Sequence, residues 1–197
     1  MRSLLLLTGL HLLLLSACTS GLSPKEYQQW IAAHLTDLSA SHQHNGITTT
    51  LTSLPADGLA IQEAGTEDKS AIAAARKEYA GLEYYRLRIA LKSGQGDVLQ
   101  YHAANTDEYY QRVEYFSFSL QHDLNLLLGT DTLPCRLFHF ERNYGAAPYL
   151  DCMLGFEERP ENPADRTLLY QDRVFSDSLI RLIISKEKIQ GVPVLEL

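Results

Sequence analysis

The chain has 197 residues, 45% of them hydrophobic, with 24 acidic against 17 basic side chains and a formal net charge of −7. An acidic chain with no Lys/Arg run lacks the electrostatic footprint of a nucleic-acid binder and offers anionic lipid no basic surface. Its three cysteines form neither a Cys-x-x-Cys nor a Cys/His pattern, so no metal-finger or redox motif is present.

Arg2 supplies a positive start, and Leu4 to Leu15 form an apolar stretch broken only by Thr8, Gly9 and His11. A membrane-spanning helix needs about 20 apolar residues, so the segment is too short to span and has the proportions of a cleaved secretory signal. Leu15-Ser16-Ala17-Cys18 resembles the lipobox of bacterial lipoproteins. The resemblance implies cleavage of residues 1–17, a diacylglyceryl thioether on Cys18 and acylation of the new amine. A thiolate is the nucleophile to which lipid can be attached, and more than one acyl chain makes attachment stable. Thr19 stands where enteric bacteria place the aspartate of inner-membrane retention, which directs the expectation to the outer membrane. Residues 18–23 are then the tether, and five residues after the cysteine reach at most about 18 Å. Loss of residues 1–17 leaves 180 residues and a formal charge of −8, since Arg2 is the only charge removed. That length suits one domain, over 24–197.

Ser23, Pro24 and Glu26 read as a helix start with a capping box. Tyr27, Trp30, Ile31, His34, Leu35 and Leu38 follow at helical spacing as one apolar stripe. After a polar stretch from Ser39 to Asn45, Ile47 to Thr52 is β-branched and strand-like, and Gly58 to Gln62 reads as its neighbour. Thr66 to Ala80 is a second helix, with Glu67 and Asp68 at its start and Gly81 as its cap. Strands dominate from there. Tyr85, Leu87, Ile89 and Leu91 alternate with Tyr84, Arg86, Arg88 and Ala90, and Phe116, Phe118 and Leu120 alternate with Tyr115, Ser117 and Ser119. Arg136 to Arg142 and Tyr149 to Phe156 form hairpin arms, and Thr167 to Tyr170, Leu179 to Ile184 and Val192 to Leu197 are further strands. Short strands with short connections predict an α+β fold. Its predominantly antiparallel sheet forms a sandwich or a partly closed barrel, with the N-terminal amphipathic helix packed on it.

Chemistry-bearing groups are few. His34, His42 and His44 cluster in sequence, but His34 belongs to the helix stripe and no complete ligand set accompanies them. Cys135 and Cys152 flank the hairpin; an oxidising compartment allows a disulfide, while the register is open and cysteine serves equally as a buried apolar residue. His139 and Glu141 share one strand face, with Arg142 next to the turn. They suit either acid/base chemistry with an anion contact or a network pinning the hairpin, Glu141 pairing with Arg86 or Arg88. No nucleophile elbow accompanies them; Ser185-Lys186-Glu187-Lys188 matches S-x-x-K without its partner motifs. Ser93-Gly94-Gln95-Gly96-Asp97 is a turn, not a phosphate cradle, and no cofactor is expected. Eleven tyrosines, among them Tyr84, Tyr85, Tyr109, Tyr110, Tyr115, Tyr144 and Tyr149, suit a protein- or sugar-binding surface.

The Ser23-Pro-Lys-Glu-Tyr-x-x-Trp30 helix, Glu114 to Phe118, His139 to Gly145 with Ala147-Pro148-Tyr149, and Gly155-Phe156 together resemble small Bacteroidetes-type envelope lipoproteins. That family carries no assigned reaction, so the resemblance implies location and not mechanism. The expectation is a membrane-anchored, non-enzymatic accessory domain with an envelope protein as partner. The alternatives are a hydrolase-like enzyme using His139 and Glu141, and a small-ligand or glycan-binding module.

Overall fold

A computed structural model describes residues 21–197; the signal segment 1–17, Cys18 and the first tether residues lie outside the described residues. Two antiparallel sheets pack face to face and do not close into a barrel. The first has the order β1 (Ser39–His44), β2 (Ile47–Leu54), β3 (Leu82–Leu91), β7 (Tyr149–Glu157), β6 (Leu137–Glu141). The second has the order β5 (Asp131–Pro134), β4 (Leu124–Leu128), β8 (Arg166–Asp172), β9 (Ser178–Ile184). The fold is α+β and mostly β.

Period-two alternation drives both sheets. On β3, Tyr85, Leu87, Ile89 and Leu91 enter the core with Leu51 of β2 and Leu150, Cys152 and Leu154 of β7, against Leu126, Leu168 and Leu182 of the second sheet. Arg86 and Arg88 stand on the opposite face. β1 and β2 are joined by Asn45-Gly46 alone, with φ of +46° and +78° and His44 opposite Ile47. Two left-handed residues in a two-residue loop match the type I′ hairpin that Asn-Gly favours. Ser39 to Asn45, read above as a polar stretch, is therefore mostly an edge strand whose exposed side chains hide it.

α1 (Pro24–Ala33) carries the expected capping box between Ser23 and Glu26. Tyr27 and Ile31 of α1 pack with Ala60, Ile61 and Ile72 of α2 (Ala56–Ala64) and α3 (Lys69–Arg76), in a second apolar cluster that includes Leu22 and Leu195. Gly58 lets α1 and α2 approach, since a Cβ there would lie 2.6 Å from Ile31 Cδ1.

Three expected strands are corrected. Gly58 to Gln62 lies in α2, which follows Pro55, and buries Leu59, Ala60 and Ile61. A five-residue apolar run has no period long enough to separate strand from helix. Tyr115–Ser119 is a π-helical turn continuing α4 (Thr106–Glu114), with Phe116 buried and Phe118 76% exposed. Val192 to Leu197 forms only an isolated parallel bridge, Leu195 to Leu22. The second helix begins at Lys69, with Asp68 accepting from the Ser70 and Ala71 amides, and ends at Arg76 in a short 3-10 turn. A last short helix, α5 (Lys186–Gln190), precedes the C-terminal segment.

The sandwich has two distinct ends. One carries Leu22, α1 to α3 and the C-terminal segment, where Leu22 donates to Val194 O and accepts from the Glu196 amide. The other carries the turns at Asn45, Ser93–Ala104, Asn143–Pro148 and Arg173–Asp177. The ten residues of β3 separate the two by about 30 Å.

Candidate functional site

The structure separates the residues that the sequence groups. His139 and Glu141 share the outer face of β6 and are exposed, while Phe138 and Phe140 turn inwards. Register places His139 beside Met153 and Glu141 beside Asp151, with Arg86 and Arg88 in the same rows on β3, one strand further. Arg88 binds Asp151 instead of Glu141, with Nε to Oδ1 at 2.7 Å and Nη2 to Oδ2 at 2.5 Å, and its guanidinium lies 3.8 Å above the Tyr149 ring. The turn is pinned by Asn143, whose Nδ2 donates to Tyr149 O and whose Oδ1 accepts from the Gly145 amide. Arg142 stacks its guanidinium 4.5 Å from the Tyr144 ring. The described cavities are lined by neither His139, Glu141 nor Arg142.

Cys135 and Cys152 are buried free thiols. The residue opposite Cys152 is Phe140, and Cys135 precedes β6, so the hairpin register does not pair them. Burial pushes the Cys135 thiol up to about 11 and Cys152 higher still. His34 closes α1, with Nδ1 donating to Trp30 O at 2.8 Å and its ring stacked on Trp30. His42 and His44 share one face of β1, away from His34. The tyrosines do not form one surface: Tyr84 and Tyr85 are buried on opposite faces of β3, whereas Tyr110 and Tyr144 are exposed.

Among the described residues, two of the cavities reach the size of small-ligand sites, about 300–1,000 Å³. The first, 460 Å³, lies at the end carrying Leu22, between Tyr27, Asp57, Arg76, Tyr79 and Val194. Burial raises the Asp57 carboxyl despite the opposing charge of Arg76. Its Oδ1 lies 2.7 Å from Arg76 Nε, at ion-pair distance but without hydrogen-bond alignment, while Oδ2 accepts from Nη2 at 3.3 Å. The pair ties α2 to α3, which gives this cleft a structural use for its charges.

The second, 520 Å³, lies at the loop end, lined by Asn45, Tyr101, His102, Arg112, Val174 and Phe175. A 280 Å³ cavity adjoins it through Arg112 and Val174 and adds Glu108, Gln111, Tyr115 and Arg173. Arg112 forms the floor. Its Nη1 donates to Leu99 O at 3.2 Å and Tyr101 O at 2.7 Å, and its Nη2 to Glu108 at 2.5 Å. Tyr101 reaches across to donate to Asn45 O at 3.1 Å. Asp172 accepts from the Val174 and Phe175 amides and so shapes the opposite wall. All four described non-glycine residues with positive φ, Asn45, His102, Tyr144 and Asp177, occur in turns at this end. Such backbone is costly for a residue like Tyr144 and gathers at functional surfaces.

Sequence reading singled out none of Tyr101, His102, Arg112 and Phe175, because three separate chain segments bring them together without a motif. The Asn45-Gly46 dipeptide was a usable signal for one wall. No protein-family model matches the chain, and no curated protein and no solved structure matches it either.

Proposed function

We propose that the protein is an envelope lipoprotein, held by lipid on Cys18, whose domain is a non-enzymatic interaction module working from its loop end. The observation that carries this reading is the position of Gly21. It stands three residues after Cys18, and Leu22 is hydrogen-bonded to the C-terminal segment. A lipidated Cys18 therefore holds the end with α1 to α3 against the bilayer, and the loop end points about 30 Å away. His139 and Glu141 are exposed and line none of the described cavities, which supports a non-enzymatic role over a hydrolase, whose acid and base converge on a pocket. No described helix is long and apolar enough to cross a membrane.

Labelling cells with a palmitate analogue tests the anchor. The wild-type chain is expected to be labelled and to pellet with membranes, and Cys18→Ser to lose both. An unlabelled wild type that fractionates like Cys18→Ser overturns it. Cross-linking from the loop end in intact cells tests the interaction role, and recovery of no specific partner counts against it.

A further inference from the structure

We infer that the loop-end cavity binds a neutral saccharide. The first argument is charge. Both guanidinium groups in its lining are already committed: Arg112 to Glu108 and two carbonyls, and Arg173 to Asp123 through Nε and Nη2 at 2.8 and 2.9 Å. An anionic ligand would meet no spare guanidinium and would face the Glu108 carboxylate. Among the described residues, the uncommitted polar side chains include no carboxylate, ammonium or guanidinium: they are the Asn45 and Gln111 amides and the His102 imidazole, all exposed on the rim. The Tyr101 hydroxyl spends its proton on Asn45 O and keeps its lone pairs for an incoming donor.

The second argument is shape. Tyr101, Val174 and Phe175 form a half-buried apolar wall beneath that rim. A pyranose ring offers C–H groups on its faces and hydroxyls at its edge, which this combination of wall and amide rim matches. Ordinary ligand sites share the anatomy of apolar lining with few orienting polar groups. The two lobes of 520 and 280 Å³ meet at Arg112 and Val174, which favours an oligosaccharide over a single ring.

The inference does not depend on the anchor, because the cavity lies entirely within the described domain. Titration calorimetry of the full chain, in a zwitterionic detergent without sugar headgroups, is the test. The probes are cellotetraose, maltotetraose and chitotriose, with oligogalacturonate and inorganic phosphate as anionic comparisons. At least one neutral probe is expected to bind and both anions to fail. His102→Gly, which tolerates the positive φ, and Gln111→Ala are each expected to weaken binding about tenfold, as loss of one hydrogen bond would. Tyr101→Phe, which keeps the ring, is expected to lose less. Circular dichroism confirms that each variant is folded. Failure of all three neutral probes at millimolar concentration overturns the inference. Preference for the anions, or wild-type affinity in both rim variants, does so too.

Discussion

Glu83 and Arg166 meet at the end of the sandwich that carries Leu22, joining β3 of one sheet to β8 of the other. The guanidinium donates from Nη2 at 2.7 Å and Nε at 3.1 Å, and both side chains are largely buried. Arg166 Nη1 also holds the Asn162 and Ala164 carbonyls, while Tyr85 donates to Glu83. Breaking a buried pair strands a charge, which costs about 3–5 kcal/mol, whereas replacing both partners with apolar groups can be near neutral. Glu83→Ala is therefore expected to lower the urea midpoint sharply. Glu83→Leu with Arg166→Met is expected to cost clearly less than the two single changes added together. Additive losses would mean that the pair is not acting as a unit.

Acid stability follows from Asp123. Burial opposes its ionisation, but the bonds from Arg173 and the Tyr115 hydroxyl prevail and hold the carboxyl below its ordinary value of 3.8. The folded state thus binds this proton more weakly than the unfolded chain. The stabilisation is complete above the ordinary value and is lost as pH falls through the depressed one. Urea midpoints of wild type and Asp123→Asn should differ at neutral pH and converge in acid. Asp57 carries the opposite sign. Burial raises its carboxyl, so the folded state takes its proton first. Any gain from Asp57→Asn should be largest at neutral pH and fade on acidification. Parallel pH profiles for the two variants would refute one assignment, and which one follows from their common sign.

The two domain thiols give a third measurement. Cys135 and Cys152 are buried and burial raises both thiols, so little thiolate exists in the folded protein. A disulfide-exchange reagent should react with neither in buffer and with both in urea, without added reductant. Rapid reaction in buffer would show that the core opens there. Two thiols that stay silent in urea until reductant is added would show a bridge.

Elements with a long, consistent local signal were legible in the sequence. β3 alternates from Tyr85 to Leu91, the β6–β7 hairpin brackets a turn, and Ser23-Pro24-x-Glu26 specifies the start of α1 by cap chemistry alone. What failed was decided by tertiary context. The alternating Tyr115 to Leu120 looks like a strand, yet it follows α4 without a break and winds on as a π turn that buries Phe116 and leaves Phe118 exposed. β1 was hidden because its side chains face solvent and its stability lies in the backbone ladder to β2. The candidate site was less legible still. Arg112 reads as one polar residue on a helix until the Leu99 and Tyr101 carbonyls arrive over it.

Gly46 connects the legible turn to that site. Its φ is +78°, and a Cβ built there would collide with the Tyr101 hydroxyl. Gly46→Ala therefore carries two costs. One is the left-handed backbone, about 1 kcal/mol for an alanine. The other is displacement of Tyr101, which breaks its bond to Asn45 O and reshapes the cavity wall. Removing the hydroxyl should relieve the second cost and leave the first. In a Tyr101→Phe background, Gly46→Ala is thus expected to destabilise the protein less than in wild type. The coupling, read from urea midpoints of the four proteins, should fall within the 0.5–3 kcal/mol typical of residues in contact. Strict additivity would place the whole effect in the backbone and detach the turn from the cavity.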